Sequence, residues 1–197
     1  MPRADVVDRI GVSQLVPVLR LPDAPAAVRA ASQCFAAGLD VVELTATTTG
    51  WARALAELRA AEPERLIGLG TVLDSDTARQ ALDSGADFLV SPCPAPAVRE
   101  AAGDAVFIEG GWTVAEVLDA GRRGAAKLFP AHVGGVQYLR TLLAIDPQLQ
   151  VIPTGGIRLA DVRSWLDAGA FAVGVGTDLL MHDDLAAALS AVQGPPR

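Results

Sequence analysis

The sequence has few of the residues that nucleic-acid, membrane or disulfide-based functions require. Its 197 residues include 16 basic and 23 acidic side chains, and the formal net charge is −7. Nucleic acids and anionic membranes select a basic face, so we expect neither as a partner. No apolar run reaches the roughly 18 residues of a membrane span, and the charged N-terminus lacks the apolar segment of a signal peptide. We therefore expect a soluble, untargeted, cytoplasmic protein.

Cysteine and histidine are equally scarce. Cys34 and Cys93 lie far apart without CxxC spacing, so we expect both to be reduced. A metal-dependent enzyme needs several converging histidine and carboxylate ligands, but His132 and His182 are the only histidines. We accordingly expect no metal and no other cofactor.

Aromatic residues make up only 5% of the chain, although 51% of it is hydrophobic. The interior must then consist of alanine, valine and leucine, which favours many short buried strands covered by alanine-rich helices. The length fits one domain, residues 1–197. The composition thus indicates a single α/β domain.

A repeated pattern runs along the chain, in which a helical stretch ends in glycine and an apolar run follows. Gly38, Gly85, Gly121 and Gly169 are expected to end these helices in the left-handed conformation. Eight apolar runs result: Val16–Arg20, a run ending at Leu44, Leu66–Val72, a run ending at Ser91, a run starting at Ala105, a run ending at Phe129, Val151–Gly156, and a run ending at Val175.

Eight strands alternating with helices predict parallel βαβ units. A closed parallel sheet has no edge strands, so a (β/α)8 barrel fits best, and an open doubly wound sheet is the alternative. Helix starts are predicted at Ser75 and at the Thr113–Glu116 capping box. The tail from Met181 to Arg197 is predicted to be one helix followed by a frayed QGPPR end.

Only one of the 16 basic residues is a lysine, Lys127, in the run AAKLFP at the predicted sixth strand. Arginine is effectively never neutral, whereas a lysine amine among apolar groups can lose its proton near neutral pH and act as a nucleophile. Leu128, Phe129 and Pro130 exclude water beside it, and catalytic groups of such barrels meet at the carboxyl ends of the strands. The alternative is a lysine left by chance that anchors a strand end.

Glu43 ends the second predicted strand between apolar residues. If it points inward at the level of Lys127, it can carry protons for the formation and collapse of a carbinolamine. The alternative is a structural ion pair with the ammonium group.

An anionic ligand has candidate contacts at several strand ends. Backbone amides of glycine-rich turns after strands seven and eight suit a phosphate, and the candidates there are Gly155, Gly156, Gly176 and Thr177. Arg20 is the one arginine directly at a predicted strand end of this face and could hold a carboxylate, or it could be a surface cap. The other candidates for substrate binding are Thr47, Thr71, Pro92, Phe129 and Thr154.

With these residues in place, the chain resembles the family of 2-keto-3-deoxy-6-phosphogluconate (KDPG) aldolases, which also act on 4-hydroxy-2-oxoglutarate (KHG). The matching motifs are VPVLR, GLDVVELT, GLGTVLDSDTARQALDSGADFLVSP, GGWTVAEVLDAG, AAKLFP, VIPTGGIRLADV and AVGVGTDLL. The resemblance implies that Lys127 forms a Schiff base with a 2-keto acid and that Glu43 is the acid/base. It also implies that the PTGG and GVGT loops hold phosphate, that pyruvate and glyceraldehyde 3-phosphate are the products, and that the protein is a homotrimer.

Four positions depart from the family pattern, and all of them concern substrate contacts. Thr47 stands where many members have an arginine, and His132, Cys93 and Trp112 replace a common glutamate, a glycine and a smaller residue. Arg20 is the candidate to compensate at Thr47. A galactonate-derived isomer or an unphosphorylated keto acid therefore stays open as substrate. A phosphosugar isomerase or epimerase and an inactive barrel that binds phosphate esters are the alternatives from other classes.

Overall fold

All eight predicted apolar runs form strands. The computed structural model describes residues 3–182 and 185–192. The strands are β1 Leu15–Leu19, β2 Val41–Thr45, β3 Leu66–Gly70, β4 Phe88–Val90, β5 Val106–Gly111, β6 Ala126–Leu128, β7 Val151–Pro153 and β8 Val173–Val175. The α-helices are α1 Arg3–Ser13, α2 Ala24–Ala36, α3 Trp51–Ala61, α4 Ser75–Asp83, α5 Pro96–Ala102, α6 Val114–Gly121, α7 Ala131–Ile145, α8 Val162–Asp167 and α9 Leu185–Val192. Leu159–Asp161 and Thr177–Met181 are 3₁₀ turns.

The strands form one parallel sheet that curls into a barrel. Its order is β7-β6-β5-β4-β3-β2-β1-β8, so each strand pairs with the strands next to it in the chain, and the first strand, β1, also pairs with the last, β8. A parallel bridge between Thr154 and Gly174 brings β7 and β8 together. A doubly wound sheet reverses its strand order near the middle, and this sheet does not. The prediction of a (β/α)8 barrel is confirmed.

The barrel interior is filled by side chains, and its lower end is closed by α1. Val16, Phe88 and Ile152 form one buried cluster inside the barrel, and Val6 and Ile10 of α1 belong to the same cluster. A larger cluster lies between the strands and the outer helices. Because α1 leads directly into β1, it covers the amino-terminal ends of the strands. The carboxyl-terminal ends are left as the open face, where barrel enzymes carry their active sites.

The helix-ending glycines agree with the sequence pattern at three of four positions. Gly38, Gly85 and Gly169 have φ angles of 92°, 96° and 102°. The prediction for Gly121 is wrong, because this residue is the last of α6 and a Cβ there would lie 2.0 Å from a methyl carbon of Leu149. Gly121 is therefore needed for close packing, and Gly124 takes the positive φ instead.

The helix ends confirm one capping prediction and correct another. Thr113 and Glu116 form the predicted reciprocal capping box at α6. At α4 the cap is Asp74, whose side chain accepts from the amide of Thr77, and Ser75 is already the first helical residue. A helix in the tail is confirmed as α9, and the QGPPR end lies outside the described residues. None of the described helices is long and apolar enough to cross a membrane.

A buried carboxylate outside the barrel ties three elements together. Glu109 of β5 is only 3% exposed and accepts hydrogen bonds from the amide of Ala95, from Arg99 and from Arg123. Burial raises the pKa of Glu109, but these donors outweigh burial and hold its pKa below the ordinary value. The network fixes α5 and α6 against the outside of β5.

Candidate active site

Lys127 and Glu43 meet at the floor of the open face. Their strands, β6 and β2, lie on different sides of the barrel, and curvature brings Lys127 Nζ to 3.2 Å from Glu43 Oε1. The two residues are 5% and 3% exposed. The ring of Phe129 covers the amine at 5.8 Å from Nζ. A single buried amine thus stands in hydrogen-bond contact with a single buried carboxyl group, as the sequence analysis expected if Glu43 pointed inward.

A glycine makes room for this carboxyl group. Gly70, the last residue of β3, faces the Glu43 side chain so closely that a Cβ there would lie 1.8 Å from Oε1. Gly70 was not predicted as a site residue from the sequence, although a glycine inside a strand often marks a close approach of another group. Gly70 therefore sets where the carboxyl group of Glu43 can stand.

Above the pair lies an open cleft of about 370 Å3. It is lined by Val18, Arg20, Glu43, Thr71, Pro92, Lys127, Phe129, Thr154, Gly155, Gly156, Ile157, Gly176 and Thr177. Every candidate named from the sequence borders this cleft except Thr47, and Val18 and Ile157 were not anticipated. The volume lies within the range of small-molecule sites, roughly 300–1,000 Å3.

Arg20 crosses one side of the cleft mouth. It follows β1 directly, and its guanidinium donates to the hydroxyl of Thr47 and, at 3.1 Å, to that of Thr71. Thr45 Oγ1 lies 3.1 Å from Thr47 Oγ1, which continues the chain of hydroxyl groups into the buried strand β2. Thr47 therefore supports Arg20 from behind the cleft wall, and Arg20 presents a fixed positive charge to the cleft.

The opposite side of the mouth is a glycine pair that follows β7. Gly155 and Gly156 have φ angles of 95° and 69°, which side-chain-bearing residues rarely adopt. A Cβ on Gly155 would also lie 2.8 Å from the Phe129 ring. Within residues 3–182 and 185–192, the amide of Gly156 donates no hydrogen bond to another group. A free amide beside Gly176 and Thr177 suits an oxyanion such as phosphate.

The other departures from the family pattern lie outside the cleft wall. Cys93 is exposed and unpaired, and its carbonyl accepts from the hydroxyl of Ser91 at 2.7 Å. Trp112 packs on Tyr138, with ring centroids 5.0 Å apart, and the Tyr138 hydroxyl donates to the Trp112 carbonyl. His132 contacts the glycine pair. In the described part of the chain, no three histidine, cysteine, aspartate or glutamate side chains converge as a metal site would need.

Comparisons with known proteins agree with this architecture. Residues 6–190 match the family model for KDPG and KHG aldolases. A 2-dehydro-3-deoxy-phosphogluconate aldolase of Haemophilus influenzae is 34% identical over 167 residues, which cover 82% of this chain and 78% of that protein. A 2-dehydro-3-deoxy-6-phosphogalactonate aldolase of Escherichia coli is 31% identical over 150 residues, 73% of each chain.

Among solved structures, the KDPG aldolase of Legionella pneumophila, with pyruvate captured as a covalent carbinolamine, matches with a TM-score of 0.85. It is 26% identical, and the match covers 96% of this chain and 98% of that one. The fold and the buried lysine at its open face define a barrel enzyme. The chain belongs to the KDPG and KHG aldolase family, and it is accordingly an aldolase, a carbon–carbon lyase.

Proposed function

We propose that the protein is a class I aldolase in which Lys127 forms a Schiff base with a 2-keto acid and Glu43 moves the protons. The observation that carries this proposal is the 3.2 Å contact between Lys127 Nζ and Glu43 Oε1 at the floor of the cleft. Lys127 is the only lysine of the chain, so no other side-chain amine competes for the role. That residues 1–197 act as one domain stays a prediction.

The reaction begins with a proton moving from the Lys127 ammonium to the Glu43 carboxylate along their hydrogen bond. The free amine attacks C2 of the keto acid and forms a carbinolamine. Glu43 then protonates the carbinolamine hydroxyl, which leaves as water, and an iminium ion remains.

The iminium ion is an electron sink for cleavage of the substrate. A base removes the proton of the C4 hydroxyl, the C3–C4 bond breaks, and its electron pair enters the iminium to give an enamine while the aldehyde departs. We assign that base to Glu43, since it has lost its proton to the departing water. Protonation of the enamine at C3 and hydrolysis of the new iminium release pyruvate and restore the amine.

The two ends of a phosphorylated substrate find different partners in this proposal. The keto-acid carboxylate is held by Arg20, which Thr47 and Thr71 fix in place. The phosphate is bound by the amides at Gly155, Gly156, Gly176 and Thr177. Pro92, Phe129 and Thr154 line the space between the ends. The substrate proposed first is 2-keto-3-deoxy-6-phosphogluconate, which yields pyruvate and glyceraldehyde 3-phosphate.

We also propose that the protein is a cytoplasmic homotrimer. A matching solved structure, 28% identical with a TM-score of 0.80, is a cage designed by fusing symmetric oligomeric domains, which supports self-association in this fold. Two unpaired cysteines are consistent with a reducing compartment. Light scattering of the purified protein measures the oligomeric state directly.

The decisive experiment is reductive trapping. The protein is incubated with pyruvate and sodium borohydride, the intact mass is recorded, and the modified peptide is mapped. The expected result is one pyruvate-sized adduct on the peptide that contains Lys127, and no adduct in Lys127→Arg. An adduct on another peptide, or no adduct with the wild-type protein, overturns the proposal.

A cleavage assay then identifies the substrate. The gluconate- and galactonate-derived phosphorylated acids differ only in the configuration at C4, and the family relatives include enzymes named for each. We expect the gluconate-derived acid to be cleaved with the higher kcat/KM, and KHG to be cleaved more slowly because it lacks the phosphate. A preference for the galactonate-derived acid would assign that substrate instead. Phosphate binding without an adduct or turnover would indicate an inactive barrel or a non-covalent phosphosugar enzyme.

A further inference from the structure

His132 makes two hydrogen bonds to one carbonyl of the glycine pair. Its backbone amide and its ring atom Nδ1 each lie 3.2 Å from the carbonyl oxygen of Gly155. Because a carbonyl oxygen can only accept, Nδ1 carries the hydrogen in this contact. The ring also lies against the next residue, since a Cβ on Gly156 would be 2.6 Å from its Cγ and Nδ1. His132 therefore holds this peptide group from two directions.

The carbonyl of Gly155 and the amide of Gly156 belong to the same peptide unit. That unit is trans, so its C=O and N–H bonds point in opposite directions. Fixing the carbonyl on His132 consequently fixes the amide on the other side. Gly155 and Gly156 both border the cleft, whereas His132 does not. The amide that is fixed in this way has no acceptor within the described residues.

A peptide between two glycines needs such a restraint. Glycine reaches positive and negative φ about equally, so this unit could rotate and turn its carbonyl, rather than its amide, toward a bound anion. An oxygen in that position would repel phosphate, whereas an amide hydrogen attracts it. The Nδ1–H bond is available in the neutral ring with hydrogen on Nδ1 and also in the protonated ring. The restraint thus needs the hydrogen-bond donor and not a positive charge.

We propose that His132 is a positioning residue for the substrate phosphate, which locks the Gly155–Gly156 peptide so that the Gly156 amide faces the ligand. This inference rests on the proposed function, in which the glycine pair binds phosphate. His132 lies outside the cleft wall, and it stands at a sequence position where the family pattern commonly has glutamate. A glutamate carboxylate has no hydrogen to donate to the Gly155 carbonyl, so the side-chain hydrogen bond of this lock is a property of the histidine, whereas the backbone amide would remain with glutamate.

The test compares aldehydes with and without phosphate in the condensation direction. Wild type, His132→Ala and His132→Asn are assayed with pyruvate and either glyceraldehyde 3-phosphate or glyceraldehyde. His132→Ala is expected to raise KM for glyceraldehyde 3-phosphate about tenfold, because it removes one hydrogen bond that orients the Gly155–Gly156 peptide. Its kcat should be nearly unchanged. Its kcat/KM for glyceraldehyde should equal that of wild type. Asparagine places an N–H donor near the position of Nδ1 and should restore most of the KM.

Two results overturn the inference. One is an unchanged KM for glyceraldehyde 3-phosphate in His132→Ala, and the other is an equal loss with both aldehydes, which would mean a general structural defect. The same His132 variants are also made in a Lys127→Arg background, and their binding of inorganic phosphate is measured by calorimetric titration. This measurement separates the role of His132 from the proposed chemistry, because it does not depend on the amine of Lys127. Weaker phosphate binding by His132→Ala is expected there, whether or not the amine of the wild-type protein forms an adduct. Equal phosphate binding by both proteins overturns the role of His132 alone.

Discussion

Replacing Gly70 by alanine should inactivate the enzyme without unfolding it. The new Cβ would lie 1.8 Å from Glu43 Oε1 and 2.5 Å from its carboxyl carbon. Ordinary contacts between such atoms begin near 3.4 Å, so the carboxyl group has to move by roughly 1.5 Å. Since Gly70 lies in a strand and has no positive φ, its backbone accepts alanine. The displacement breaks the 3.2 Å contact with Lys127 Nζ.

The expected loss follows from the role proposed for Glu43. A positioned general acid or base contributes about 10²–10⁴-fold to a rate, so Gly70→Ala should lower kcat by at least about 100-fold. At about 1.4 kcal/mol per factor of ten, this loss corresponds to about 2.7 kcal/mol of transition-state stabilisation. Borohydride trapping of pyruvate should slow in parallel, since carbinolamine dehydration needs the same carboxyl group.

Gly68→Ala on the same strand is the matched control. A Cβ at Gly68 would lie 2.2 Å from the ring of Phe88, and its three nearest atoms all belong to that ring rather than to Glu43. Overpacking of this kind costs about 1–3 kcal/mol, so Gly68→Ala should lower the thermal midpoint. Its kcat at a temperature where it stays folded should fall far less than that of Gly70→Ala.

A double-mutant cycle isolates the contact between Gly70 and Glu43. In a Glu43→Ala background the space beside Gly70 is empty, so adding Gly70→Ala should reduce kcat no further. A kcat of Gly70→Ala within about threefold of wild type would refute the role of Gly70 in placing the Glu43 carboxyl group. A full loss of kcat when Glu43 is already alanine would refute it equally.

Three further predictions concern other parts of the molecule. Arg20→Gln should raise KM for the keto acid about 10- to 100-fold, since charge-assisted hydrogen bonds contribute roughly 1.5–3 kcal/mol, and an unchanged KM in steady-state kinetics would remove Arg20 from carboxylate binding. Glu109→Gln should lower the free energy of unfolding by about 2 kcal/mol at pH 7, less than for a fully buried pair because its arginine partners are about one-third exposed. The pKa of Glu109 is lowered in the folded protein, so its contribution is complete above the unfolded pKa of about 4.3 and disappears as pH falls through the folded value. The difference between the two proteins in urea titrations should therefore begin to shrink as pH falls below about 4.3, and a difference that stays constant on further acidification would contradict the assignment. Burial raises the pKa of the Cys34 thiol to about 12, so a thiol reagent at pH 8 should label only exposed Cys93 until the protein is unfolded, as mass spectrometry of the labelled peptides would show.

Several features of the fold could be predicted from the sequence because they depend on local patterns. Each strand is a short apolar run, and positive φ at Gly38, Gly85 and Gly169 follows from the need to turn a helix into the next strand. The Thr113–Glu116 capping box is likewise a contact between near neighbours. Helix α1 was not predicted, because Val6 and Ile10 form too short an apolar pattern to indicate a helix. These two side chains are buried only because they pack into the amino-terminal end of the barrel. Gly121 was misassigned because its neighbour, Leu149, is distant in sequence.

The sequence by itself determined the eightfold βα pattern, the single amine and the strand ends at which polar groups and glycines gather. Only the tertiary structure decided which of these groups touch. Lys127 and Glu43 are 84 positions apart and meet because the parallel sheet closes on itself. The close approach of Gly70 to Glu43 and the hydrogen bond from His132 to the Gly155 carbonyl likewise could not be predicted from the sequence. Strand patterns are set by burial along the chain, whereas distances across the barrel are set by strand number, tilt and packing, which no local segment contains.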